Sequence, residues 1–130
     1  MAITLQDTAR NAAANGIVDL IDVGGAGTIS LKSAASLVAA TNEVATLTFP
    51  ATAFGAAAAG VATAGTIVSD TSATGGTANN YTVFSGAGTA LWQGTVTATA
   101  GGGDIELSSI SIGVGDTVSM SSFTLTVPAS

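Results

Sequence analysis

The sequence predicts a mainly β protein: an antiparallel β-sandwich or partly closed barrel with one N-terminal α-helix. Three observations carry this. From Val44 onward, short Thr/Val/Ile/Leu runs alternate with Gly-rich punctuation at intervals of about ten residues, the spacing of an all-β fold. The clearest run is the last, Thr117 to Val127, rich in β-branched residues that lose little freedom on a pleated surface. Helical spacing of apolar residues is confined to residues 4–22, before Gly24-Gly25 ends the pattern. At 130 residues the expectation is one β-rich domain, 1–130, with strands across 28–127 and enough chain to bury a core without staples.

In residues 4–22, Leu5, Ala9, Ala12, Ala13, Gly16, Leu20 and Ile21 recur three and four apart, with Asp7, Arg10, Asn11 and Asp19 mainly on the other side. The apolar stripe is expected to pack on the sheet; the alternative is docking against a partner. Thr4 is the expected N-cap, with Asp7 three residues on as a short capping box. Thr28 to Lys32 alternates apolar with polar and predicts an edge strand guarded by the Lys32 charge. Ser33 to Asn42 has no clear period and is expected to be a loop with short helical turns. Glu43 to Phe49 predicts a second strand, with Leu47 and Phe49 on one face and Pro50 ending the ladder. Residues 51–60 form a connection anchored by Phe54, and Val61 to Ser69 a third strand.

Asp70 to Asn80 collects turn-forming residues and is the expected mobile loop. Tyr81 to Ser85 and Thr89 to Val96, joined by Gly86-Ala87-Gly88, predict the best hairpin in the chain. Alternation leaves open which face holds Phe84 and Trp92 and which holds Tyr81 and Val83, because both sets are apolar. Gly101-Gly102-Gly103 reads as a turn or flexible tip. Ile105 and Leu107 share one phase, while Ile110, Ile112 and Val114 share the other, so Ser108-Ser109 reads as a bulge or corner. A similar flip at Ser121-Ser122 predicts two adjacent, matched, bent strands. About six to eight strands result, mostly antiparallel by connection length.

Composition excludes whole classes of chemistry. There is no Cys and no His, so disulfides, thiolate metal sites, thiol nucleophiles and imidazole catalysis are ruled out by inventory. No Ser or Thr has an obvious base to activate it, since Lys32 stands alone. Neither glycine run is a phosphate loop: Gly24-Gly25-Ala26-Gly27 follows a helix, and Gly101-Gly102-Gly103-Asp104 leads into a strand. The reading is therefore not an enzyme and no cofactor. Asp104 and Glu106 share a strand face, with Asp116 expected opposite. They read as solvated turn acids, or alternatively as oxygens that could hold Ca²⁺ in a spacing matching no known loop.

Charged residues are only 8%, and net charge −6 rests on eight acids against Arg10 and Lys32, so no nucleic-acid partner is expected. Mean hydropathy is +0.59, yet no run of about 18 apolar residues is present and no membrane partner is expected. So little charge fits a surface covered by neighbours, either copies of the chain or other proteins.

The residues Ala9-Arg10-Asn11-Ala12 with Ile17-Val18-Asp19, then Ala45 to Phe49 with Phe54-Gly55-Ala56-Ala57 and Gly60 to Ala64, and finally Val118 to Pro128, resemble a family of small structural proteins of tailed bacteriophages and prophages. The likeness runs over nearly the whole length and departs between Asp70 and Gly94, where the family has a more charged hairpin with an Asp-Gly turn. The resemblance implies a virion protein without enzymatic activity, and the start Met1-Ala2-Ile3-Thr4, with no basic or apolar signal pattern, sets the expectation that it is made in the host cytoplasm. The leading expectation is a capsid decoration or cement protein, homo-oligomeric or bound to the major capsid protein or other virion proteins. Alternatives are a tail, neck or fibre-associated component, or a host-glycan-binding module using Trp92, Tyr81 and the loop 70–80. Candidate partner contacts are Arg10 on the helix, Asp70, Asn79 and Asn80 in and beside the loop, Tyr81, Ala87 at the hairpin tip, and Trp92. The residues before Thr4 are a further candidate, as an arm.

Overall fold

The computed structural model describes residues 3–130; positions 1 and 2 of the expected N-terminal arm lie outside the described residues. The protein is mainly β with one N-terminal helix, α1 (Asp7–Asp19), extended by a 3₁₀ turn at Leu20–Asp22. Nine strands follow among the described residues: β1 (Thr28–Lys32), β2 (Glu43–Thr48), β3 (Val61–Thr63), β4 (Gly76–Thr77), β5 (Asn80–Phe84), β6 (Ala90–Ala98), β7 (Ile105–Leu107), β8 (Ser111–Ile112) and β9 (Thr124–Thr126). They form a five-stranded sheet of order β2-β1-β5-β6-β7 and two ribbons, β3-β9 and β4-β8. No described helix is long and apolar enough to cross a membrane.

The helix starts later than expected and without its expected cap. Leu5 N–H donates to the Ala129 carbonyl at 2.7 Å, which ties the N-terminal segment to the C-terminal tail. The helix begins only after Gln6, which makes no side-chain cap, so Thr4 caps nothing.

β1 is not an edge strand: it lies between β2 and β5, and Lys32 is fully buried. The loop 33–42 folds back over it, so that the ammonium donates to the carbonyls of Val38, Ala39 and Thr41 at 3.0, 3.1 and 2.8 Å. The Phe84 ring lies on the same side, its centroid 5.7 Å from Nζ. A charge read as an edge guard is thus a bracket for a loop.

The third strand is shorter than expected, because the chain changes partner almost residue by residue. Val61 to Thr63 pair with β9, Gly65 N–H donates to Ala53, and Val68 bridges Thr48 of β2. The loop 70–80 is likewise built in: Asp70 bridges Val118, and β4 pairs with β8. The two phase flips lie in strands that are not neighbours, since β8 pairs with β4 and β9 with β3, so no matched bend of adjacent strands forms.

The predicted hairpin is present. Ser85 N–H donates to Thr89, and Gly88 N–H to Ser85, closing the turn at 2.9 Å each. Its register pairs Val83 with Trp92 and Tyr81 with Gly94, so Tyr81, Val83 and Trp92 share one face, and Thr82 and Phe84 the other. All four of Tyr81 to Phe84 are buried, as a strand covered on both faces requires. β7 joins β6 in parallel across the short 99–104 connection, against the antiparallel expectation. Gly101 and Gly103 sit against Thr97 with no room for a Cβ, so the triple glycine is a packed turn.

The core converges on Phe123. Its ring lies 6.2 Å from Phe49, 6.1 Å from Phe54, 5.7 Å edge-on to Tyr81 and 6.3 Å from Trp92 in a near-parallel stack. Each such pair adds about 0.5–1.5 kcal/mol beyond its buried area. This one side chain, just before β9, joins the five-stranded sheet to the ribbons.

Candidate functional site

Two surfaces are set up by the fold. The first is the outer face of α1. Sequence periodicity points the stripe Leu5, Ala9, Ala12, Ala13, Gly16, Leu20 inward; of the seven residues in the expected stripe only Ile21 is fully buried. The inward face instead carries Arg10, Asn11, Ala14, Asn15 and Val18, and it docks through hydrogen bonds. Arg10 Nε donates to the Val127 carbonyl at 2.9 Å. Asn11 Oδ1 accepts from Gly60 N–H, and Asn15 Oδ1 from Ala57 N–H, both at 2.8 Å. Asp22 Oδ1, in the 3₁₀ turn, accepts from Ala53 N–H at 3.0 Å.

The segment 53–60 needs those acceptors, because it makes few sheet hydrogen bonds of its own and buried N–H groups must be satisfied. Gly60 has φ +78°, and a Cβ there would stand 2.6 Å from Arg10 Nε and from the Val127 carbonyl oxygen, so only glycine permits this docking. With Arg10, Asn11 and Asn15 turned in, the helix and the turn after it show Ile17, Leu20 and Val23 to solvent at 37%, 49% and 55% exposure, beside the exposed Asp7, Thr8 and Asp19.

The second surface is the free edge of β7. A groove of about 620 Å³ runs between it and the segment Asp116 to Thr124, and a smaller one beside Tyr81, Trp92 and Phe123 continues it. Asp104, Glu106 and Asp116 all line the groove. Each steadies a turn: their carboxylates accept from Thr95 N–H, Gly102 N–H and Gly113 N–H at 3.1, 3.0 and 2.7 Å. No three acidic side chains among the described residues approach closely enough to share a metal ion.

The seven residues singled out from sequence are dispersed, and most are engaged within the chain. Arg10 is half-buried, bonded to Val127 and paired with Asp7 at 3.0 Å. Asp70 accepts from Thr46 N–H at 2.8 Å and Ser72 N–H at 2.9 Å. Asn79 is exposed, and its amide donates to the Ser33 carbonyl; that of Asn80 donates to Gly94. Ala87 is exposed at the hairpin tip, but its N–H donates to Val23, and the tip packs on Gly24. Tyr81 and Trp92 are brought together in the aromatic cluster, Tyr81 buried and Trp92 half-buried with one ring face on Phe123. Burial raises the Tyr81 phenol above its ordinary 10.0; a hydrogen bond with Trp92 opposes this, and the Asp104 charge adds to it. Burial lowers Lys32 below 10.5, against the raising influence of Glu43.

Sequence reasoning missed the outward helix face, although Asn11 and Asn15, four apart, were a legible signal that one polar side had backbone to satisfy. It placed Asp104, Glu106 and Asp116 near one another but had no means of finding the groove they line. No family model, no curated protein and no solved structure matches the chain.

Proposed function

We propose that this chain is a structural protein of a tailed-phage virion, acting as a capsid decoration or cement protein that binds across capsid subunits. The observation that carries this reading is the outward side of α1 and the turn after it: Ile17, Leu20 and Val23 stand in solvent while Arg10, Asn11 and Asn15 of the helix are engaged inside. A second apolar tip, Leu37 and Val38 at 58% and 62% exposure, is held out by the loop that Lys32 brackets. Apolar side chains that folding leaves uncovered, on a chain with few charges to keep it apart from others, fit a molecule whose surface is completed by neighbours. The two cations give no electrostatic grip on nucleic acid, because Arg10 is tied to Asp7 and Val127 and Lys32 is buried.

The mechanism is linkage: a protein that binds the assembled shell and not loose subunits stabilises the shell by mass action. Small side chains such as Ala9, Ala13 and Gly16 on the exposed helix face allow close approach of a partner backbone. The test is the copy number of the chain in purified virions. A number comparable to that of the major capsid protein supports decoration; a number an order of magnitude lower moves the chain to the tail, neck or fibre, and absence from particles removes the reading.

A further inference from the structure

We propose that the open edge of β7 takes in a strand from a different protein, an extended basic segment paired through its backbone with Glu106 on one wall of the groove and Ser119 on the other. The inference deepens the virion reading above and rests on it for the partner being another protein of the assembly.

The two edges of the main sheet are treated differently by the fold. At β2 the returning chain covers the edge: Val44 C=O accepts from Gly75 N–H, Thr46 N–H donates to the Asp70 carboxylate, and Thr48 exchanges both bonds with Val68. That edge is largely occupied. At β7, Leu107 C=O accepts from Thr99 N–H of the chain that follows β6, so Leu107 turns its backbone towards β6. Alternate residues of a strand point to opposite sides, and Glu106 therefore turns its N–H and C=O to the open side. Across the groove, Val118 spends both backbone groups on Asp70, at 2.7 and 2.9 Å, which turns those of Ser119 away from Asp70. Among the described residues, the N–H groups of Ser119, Met120, Ser121 and Ser122 donate no hydrogen bond.

An unpaired strand edge facing a second unpaired segment across a groove is a template for strand addition, in which main-chain bonds supply affinity and alternate side chains supply specificity. Charge decides the occupant. Asp104, Glu106 and Asp116 line the groove, and its complement carries Lys or Arg. This chain has two such residues, and both are engaged internally, so a second copy has no cation to offer. Asp104 and Glu106 point to one face of β7, and Ile105 and Leu107, both at least half-buried, to the other. The fitting segment alternates basic with apolar side chains.

The probe is a capped hexapeptide alternating valine and lysine, titrated into the full chain and followed by amide shifts in NMR. Saturable binding with shifts at Glu106 and Ser119 is expected. Methylating alternate peptide amides, which removes the pairing donors and keeps the side chains, should weaken it about tenfold or more. Glu106→Gln should weaken it about threefold while leaving the denaturation midpoint in place, because glutamine still accepts from Gly102 N–H. Absence of saturable binding, or equal binding of the methylated peptide, overturns the proposal. So does a chain that dimerises through this edge, seen as sedimentation equilibrium shifted by Ser119→Pro. A chain that co-sediments with virions yet ignores the peptide refutes the groove alone; one that binds the peptide but never co-sediments refutes the virion reading alone.

Discussion

The helix makes the sharpest prediction, because the sequence puts Asn11 outside and Leu20 inside and the fold reverses both. In Asn11→Ala/Asn15→Ala, the N–H groups of Gly60 and Ala57 lose their acceptors. A stranded buried donor costs about 1–3 kcal/mol. Gly60 is buried and Ala57 half-buried, so the first loss falls towards the upper end and the second towards the lower. Alanine returns up to about 0.5 kcal/mol of helix propensity at each site. The net destabilisation is about 1–4 kcal/mol, a large fraction of the roughly 5–15 kcal/mol that holds a domain together.

The comparison variant is Ile17→Ser/Leu20→Ser. Both side chains are exposed, and the pair should cost under about 1 kcal/mol. Urea denaturation monitored by Trp92 fluorescence gives both numbers from the shift in midpoint at a shared slope. If the serine pair proves the costlier, the helix rests on its apolar stripe after all, and the argument for an exposed binding face fails with it.

Phe123→Ala should cost about 3–5 kcal/mol and shift Trp92 emission to the red, since the ring touches four other aromatics and its loss opens a cavity between sheet and ribbons; a loss under about 1 kcal/mol would show that the ribbons are held otherwise. Tyr81 holds its proton more tightly when folded, so its contribution is complete below pH 10.0 and is lost as pH rises through the higher folded value. The denaturation midpoint should fall there in the wild type and less in Tyr81→Phe, and identical profiles would refute the assignment. Lys32→Met strips the carbonyls of Val38, Ala39 and Thr41 of their donor. Limited proteolysis should then cut between Ser33 and Asn42 about tenfold faster, because cleavage follows the population of the opened loop; an unchanged rate would mean that the loop is held without the ammonium.

Much of the fold was legible because it depends on local backbone preference. Gly-punctuated β-branched runs marked the hairpin at Gly86-Ala87-Gly88, the strand that stops short of Pro50 and the phase break at Ser108-Ser109, and each occurs where turn chemistry or alternation puts it. The helix too was visible, through its three- and four-residue spacing.

What only the tertiary structure decided is which side of each element is inside. Periodicity reports that a helix has two faces, but a face is chosen by what its neighbours lack. The segment 53–60 arrives with unsatisfied N–H groups, and Asn11 and Asn15 outbid alanine methyls that bury little area. Lys32 is interior for the same reason, since a loop remote from regular pairing offers three carbonyls to its ammonium. The covered edge at β2 and the open one at β7 depend on where the chain at 68–75 and at 116–122 returns, and such long-range placement leaves no periodic trace in a sequence of small, weakly polar residues.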